Sequence, residues 1–225
     1  MLDLGQPGDR DRYLGIVRSA DAGVESFAPG ALDRWDVGYQ VLSREHPGIV
    51  LTSVTPFGQT GPFRDFQGND MVAQALGGLQ YISGDSQQPP AAAPFYQAYQ
   101  LAGLHAAFGT LVALQEVRRN GCGQHVDVSV QDVMAHLFFL VARYGVQRDM
   151  IMRQGARSSV APNTFYPTKD GHVCVSPFAG PLWQLLAEWI DEPLLLDPLW
   201  NDIRIRQEHA DLIDASVGAF TARFT

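Results

Sequence analysis

Apolar positions recur along this chain at two spacings, and the changes between them mark its elements. Between 7 and 19 they fall at Tyr13, Leu14, Ile16 and Val17, the spacing of a short amphipathic helix. Segment 22–27 predicts a strand closed by Pro29-Gly30, and 39–45 a second helix that stops at Pro47-Gly48. Residues 49–54 form a compact apolar and β-branched run, the pattern of a strand covered on both faces. Helix, strand, helix, strand at these intervals predicts βαβ units and a parallel sheet. Glycine and proline punctuate 58–62, which reads as a loop.

Further along, 70–75 predicts a helix with Asn69 or Asp70 near its start. Segment 84–94 is a polar, proline-rich loop, and 101–117 predicts the longest helix, rich in alanine and leucine and free of proline. Arg118 and Arg119, followed by Gly121 and Gly123, mark its end, with cations in the last turn and glycines beyond. Residues 124–130 alternate as a half-buried strand does, and 132–144 resumes a helix. Segment 166–175 predicts a hairpin turning at Lys169-Asp170-Gly171, and two amphipathic helices follow over 181–190 and 203–220. The expected organisation is an α/β parallel-sheet core over 1–145 and a small hairpin-and-helix domain over 146–225. No internal repeat is visible.

Composition narrows the classes. Apolar residues make up 46%, charged residues 18%, with 22 glycines and 14 prolines, which excludes disordered and fibrous chains. A net charge of −8 argues against a general nucleic-acid surface, although a local basic patch can still hold a phosphorylated ligand. No apolar run reaches the roughly 20 residues of a membrane span. The opening Met-Leu-Asp-Leu-Gly lacks the basic and apolar regions of a signal peptide, so a cytoplasmic protein is expected. Cys122 and Cys174 are too few for a disulfide framework and have no metal-ligand spacing, so no metal is expected.

Six segments carry a family resemblance: Val-Glu-Ser-Phe-Ala-Pro-Gly (24–30), Ser-Val-Thr-Pro-Phe-Gly-Gln-Thr-Gly-Pro (53–62), Gly-Asn-Asp-Met-Val-Ala-Gln-Ala-Leu-Gly-Gly-Leu (68–79), Gly-Leu-His-Ala-Ala-Phe-Gly-Thr-Leu-Val-Ala-Leu (103–114), Gly-Cys-Gly-Gln-His-Val-Asp-Val-Ser-Val-Gln-Asp (121–132) and Tyr-Pro-Thr-Lys-Asp-Gly-His-Val (166–173). In this order and spacing they resemble the family III CoA-transferases, the carnitine-dehydratase and formyl-CoA-transferase group. The resemblance implies transfer of CoA between an acyl-CoA thioester and a carboxylic acid. It also implies an interlocked dimer, in which each chain threads the other's ring. Family members open with a glycine-rich strand and turn and close with segments returning to the large domain. Neither matches here, so the chain is expected to be shortened at both ends.

The chemistry implied by the resemblance is nucleophilic. An aspartate attacks the thioester, and splitting the exchange into two acyl transfers keeps the thioester energy from water. That aspartate stands four residues before the pair matching Gly103-Leu104, where this chain has Tyr99, and no acid lies between Asp85 and Glu116. A phenol, with a pKa of about 10 in water, is mostly protonated at neutral pH and does not replace a carboxylate. The racemase branch keeps the aspartate and adds a histidine where this chain has Asn69. Asp70 is read either as a helix N-cap or as a catalytic acid, and His105 either as a satisfied helix histidine or as a site residue. Tyr99 itself reads as packing or as a site residue. Gln124, His125 and Asp127 read as structural.

For CoA, the resemblance points to Phe27 along the adenine or pantetheine groove and to Arg34 against a phosphate, a role suited to a guanidinium fork. A solvated helix charge is the other reading of Arg34. Ser26 replaces the family's usual asparagine. Ser158, Ser159 and Val160 fall where some members have a glycine-rich loop, which should be stiffer here. The leading expectation is a CoA-transferase chain that binds acyl-CoA, as a homodimer or as the partner of an aspartate-bearing subunit. A non-catalytic CoA-binding remnant and an α-methylacyl-CoA racemase-like protein are the alternatives.

Overall fold

Three parallel strands form the first sheet: β1 (Ala22–Glu25), β2 (Val50–Thr55) and β3 (His125–Ser129), in the order β1-β2-β3. The computed structural model describes residues 2–84, 88–137, 161–177 and 180–225. Two units emerge, Met1–Gly155 and Ala156–Thr225. The boundary expected near 145, the second half of the helix expected over 132–144, and Ser158, Ser159 and Val160 lie outside the described residues.

In the first unit β2 is central, and Val50, Leu51, Thr52 and Ser53 are all buried, which accounts for its unbroken run of apolar and β-branched residues. Alternation sends its side chains to two layers. Leu51 joins Val17, Leu32, Val37, Leu42 and Ile49, a cluster supplied by α1 (Pro7–Val17), α2 (Ala31–Arg34), α3 (Tyr39–Glu45) and their flanks. Val54 packs on the other cluster, where Ala98, Ala102 and Ala106 meet Ala73, Val133 and Met134. Those residues lie on α4 (Asp70–Leu76), α6 (Gln97–Asn120) and α7 (Val130–Leu137), and α5 (Leu79–Ile82) follows α4. Alanines at four-residue spacing bring α6 close to the sheet, close enough for Thr110 Oγ1 to lie 2.6 Å from Thr52 Oγ1. At the entry to β3, a Cβ on Gly123 would stand 1.9 Å from the Ile49 carbonyl oxygen, so only glycine fits there.

Helix α6 starts four residues before the predicted 101 and ends at Gly121, in the left-handed region at φ 76°. The apolar pattern marked neither the short α2 nor α5, although one reading of Arg34 put it on a helix; each follows a left-handed glycine, Gly30 or Gly78.

The second unit opens with an antiparallel hairpin, β4 (Thr164–Pro167) and β5 (His172–Val175). Then come α8 (Gly180–Ile190), two 3-10 turns starting at Pro193 and Pro198, α9 (Ile203–Glu208) and α10 (Ala210–Thr221). The single helix expected over 203–220 breaks at His209, whose φ −110° and ψ 29° leave the helical region. Trp183, Leu195, Trp200, Ile213 and Val217 form the core with Tyr166. Arg206 is buried among them, its guanidinium donating to the Ala161 and Trp200 carbonyls and lying 4.9 Å from the Trp183 ring centroid. Burial pushes its pKa below the ordinary arginine value, against the opposing pull of Asp202. Among the described residues no helix is long and apolar enough to cross a membrane, and no cluster of three metal-ligating side chains occurs.

Candidate functional site

The sequence-predicted residues fall at two places in the first unit. The first surrounds the start of α6. Phe95 and Tyr96 precede the helix at φ 64° and 52°, a region that non-glycine residues seldom adopt and that recurs at functional sites. A chain of hydrogen bonds ties the residues on either side of them, Ala93 and Tyr99, to α4. Asn69 caps α4 by accepting the Val72 N–H at 3.0 Å, so Asp70 is not needed there. The Asp70 carboxylate instead reaches the later helix, its Oδ1 accepting the Tyr99 N–H at 3.0 Å. Its Oδ2 accepts from Gln74 Nε2 at 2.6 Å, and Gln74 Oε1 in turn accepts the Ala93 N–H at 2.7 Å. Asp70 is 7% exposed and sits at the positive end of the longest helix. Asp70 is therefore a cap, but of α6 rather than of its own helix.

Above this network lies an open cavity of about 640 Å³, lined by Asn69, Asp70, Met71, Phe95, Tyr96 and Tyr99 among others. Tyr99 is 44% exposed, and its ring stacks on Tyr96 with centroids 6.5 Å apart and planes 12° from parallel. Among the described residues lining the cavity Asp70 is the one acid, and both its oxygens are engaged. What faces the space is a phenol, with apolar surface around it.

His105 does not join this site. Six residues along a helix turn the side chain about 240° from Tyr99. Its Nδ1 hydrogen-bonds the Leu101 carbonyl at 2.9 Å, which puts the proton on that nitrogen, and its ring lies edge-on to His136 at 6.3 Å.

The second place is the turn after β1. Phe27 is exposed, its ring set edge-to-face on Trp35 at 5.1 Å, and its N–H donates to Glu25 Oε2 at 2.7 Å. Gly30 takes φ 71° and donates its N–H to Gln59 Oε1 at 3.2 Å. Arg34 Nη1 donates to the Pro29 carbonyl at 3.3 Å, and among the described residues it has no carboxylate partner. Phe27 and Arg34 thus sit on one turn, both open to solvent. Behind Gly30 a polar recess of about 140 Å³ is lined by Tyr39, Ser53, Gln59 and His125. There Ser53 Oγ meets His125 Nε2 at 2.8 Å, and Tyr39 stacks on that imidazole at 5.4 Å. Burial pushes the Tyr39 phenol pKa up, with a smaller contribution from Cys122. Asp127 Oδ2 accepts the Gln59 N–H at 2.9 Å, so Asp127 braces the loop that positions Gly30.

Gln74 and Gln59 were not singled out in the sequence. The spacing of Gln74, four residues after Asp70, was the available signal for the first. Nothing local marks Gln59, whose contacts cross 29 and 68 residues.

The sequence matches CoA-transferase family III over residues 1–225. The chain belongs to that family. It is 32% identical to the succinyl-CoA--D-citramalate CoA-transferase of Chloroflexus aurantiacus, over 100% of this chain and 57% of the relative. It is 33% identical to a subunit of the succinyl-CoA:(R)-benzylsuccinate CoA-transferase of Thauera aromatica, over 91% of this chain and 52% of that one. In structure it resembles a CaiB/BaiF family protein from Brucella suis, with a TM-score of 0.79 and 24% identity, covering 100% of this chain and 60% of the other. That likeness concerns the fold, and it agrees with the expected α/β parallel-sheet core. The chain spans about half the length of the curated relatives it matches.

Proposed function

We propose that this family III chain binds an acyl-CoA and takes part in CoA exchange between a thioester and a carboxylic acid, with a second chain supplying the nucleophile. The observation that carries the reading is Tyr99. It faces the cavity at the position where the family resemblance places an aspartate, and Asp70 beside it is committed to the Tyr99 amide of α6 and to the Gln74 side chain. In this division of labour the cavity receives the acyl group and the Gly30 turn holds CoA through Phe27 and Arg34. The partner's carboxylate attacks the thioester carbonyl, the C–S bond breaks, and CoA leaves as the thiolate. An acyl anhydride remains on the partner; the thiolate attacks the partner's own carbonyl, which releases the donor acid and leaves a partner–CoA thioester. The acceptor carboxylate recovers CoA from it by the same two steps in reverse.

A subunit interface is supported by α6, whose Leu104, Phe108, Leu111 and Val112 expose one apolar stripe. A homo- or heterodimer in the cytoplasm, with no metal, is the working state. The racemase reading is disfavoured at Asn69, which occupies the histidine position and is spent as the α4 cap. A CoA-binding remnant shares the same residues and differs only in lacking turnover.

Intact-mass measurement after mixing with acyl-CoA, with and without an aspartate-bearing homologue, tests this reading. The expected result is no covalent adduct on this chain, and CoA exchange only in the mixture. An acyl or CoA adduct on any carboxylate of this chain refutes the division of labour, and absence of exchange in every mixture favours the remnant.

A further inference from the structure

Two guanidinium groups converge on the Gly30 turn. A Cβ placed on Gly30 would stand 3.5 Å from Arg64 Nη2 and 3.6 Å from Arg34 Nη1. The two come from separate segments: Arg34 closes α2, while Arg64 lies in the loop between β2 and α4. Like charges facing one another across a glycine repel, and little around them offsets the repulsion. Among the described residues Arg34 is held only by the Pro29 carbonyl, and Arg64 meets its sequence neighbour Asp65 at 3.3 Å in a pair whose side chains are 41% and 79% exposed. Such an exposed pair contributes little. The nearby Glu25 carboxylate makes no ion pair with either and accepts instead from the Phe27 N–H and from Gln59 Nε2 among the described residues. Gly30 keeps the space between the forks empty, because a side chain would enter it and the left-handed φ of 71° disfavours one.

We propose that Arg64 completes, with Arg34, a clamp for the phosphates of a nucleotide-bearing thiol ligand, which Phe27 flanks with an exposed ring. A bridging phosphate relieves the repulsion between the two cations and uses both planar forks. The proposal rests on the reading that CoA binds this turn, and it adds a residue from a loop to which that reading assigns no role.

Calorimetry on the full chain at low salt tests it with three probes: CoA, pantetheine and inorganic diphosphate. Arg64→Gln is expected to weaken CoA and diphosphate about tenfold and to leave pantetheine unchanged. Combined with Arg34→Ala, the loss should be smaller than the product of the single losses, because both forks hold one anion. Asp65→Asn, which frees Arg64, should bind CoA as tightly as the parent or tighter. Wild-type affinity for CoA and diphosphate in Arg64→Gln overturns the clamp, as do losses that multiply in the double variant. Diphosphate binding that depends on Arg64 without CoA binding keeps the clamp and removes the CoA reading. Binding of neither probe removes both.

Discussion

The Gly30 turn and the first turn of α6 both present polar groups to open space, and they hold charge in opposite ways. At Gly30 two cations stand exposed, one of them without a carboxylate partner among the described residues, on a turn braced from behind by Gln59 and Asp127. At α6 the one anion is buried, and each of its oxygens accepts a hydrogen bond from the protein's own N–H groups. The first arrangement leaves its charges available for a ligand. The second consumes its charge in building the wall of a cavity. The Asp70 carboxylate in that position serves architecture, its two oxygens taken up by the protein itself.

Removing the buried anion should have the largest effect. Asp70→Ala leaves the Tyr99 amide and the Gln74 side chain without acceptors and should cost on the order of 3 kcal/mol, read as a lowered urea midpoint. Asp70→Asn, which keeps one acceptor, should cost about half as much. An Asp70→Ala protein as stable as the parent would break the contrast by showing that the carboxylate is free. Arg34→Ala should behave in reverse: stability within about 0.5 kcal/mol of the parent, and CoA affinity weaker by about 1.5–3 kcal/mol, ten- to a hundredfold. Calorimetry beside the same urea titration separates the two outcomes.

Asp202 in the second unit offers a smaller, pH-dependent case. It caps α9 through the Arg204 N–H and pairs with the Arg204 side chain, which lowers its pKa to about 2. A carboxyl pKa lowered on folding contributes stability that is present above the unfolded value of about 4 and is lost as pH falls toward 2. The melting-temperature difference between wild type and Asp202→Asn should therefore be present at pH 5 and close between pH 4 and 2. The smallest effect should come from Tyr99→Phe. It removes a hydroxyl that faces the cavity and should change stability by less than about 0.5 kcal/mol, with no change in the absence of adduct.

The sheet and the long helix were legible because they depend on local patterning: an unbroken buried run at 49–54, and cations then glycines after 117. What escaped the sequence depends on contacts across the chain. Helix α6 begins earlier than its composition suggests because Asp70, on another helix, satisfies its third amide. The helix expected over 203–220 divides at His209 although its periodicity continues. At the candidate site the family motif led to Phe27, Arg34, Asp70 and Tyr99. Of the two readings of His105, the turn of the helix and its bond to the Leu101 carbonyl agree with the satisfied helix histidine. Arg64 and Gln59 reach Gly30 from a loop, where no periodicity records direction.

First-turn amides of a helix ordinarily exchange their protons with solvent as the end frays, on a timescale set by that helix alone. The Tyr99 amide has its acceptor 29 residues upstream, on α4. Its proton can exchange only when the carboxylate lets go, so its protection factor reports how often α4 and α6 part. A single resonance in a deuterium-exchange spectrum thus becomes a gauge of cavity opening, readable before any substrate is known.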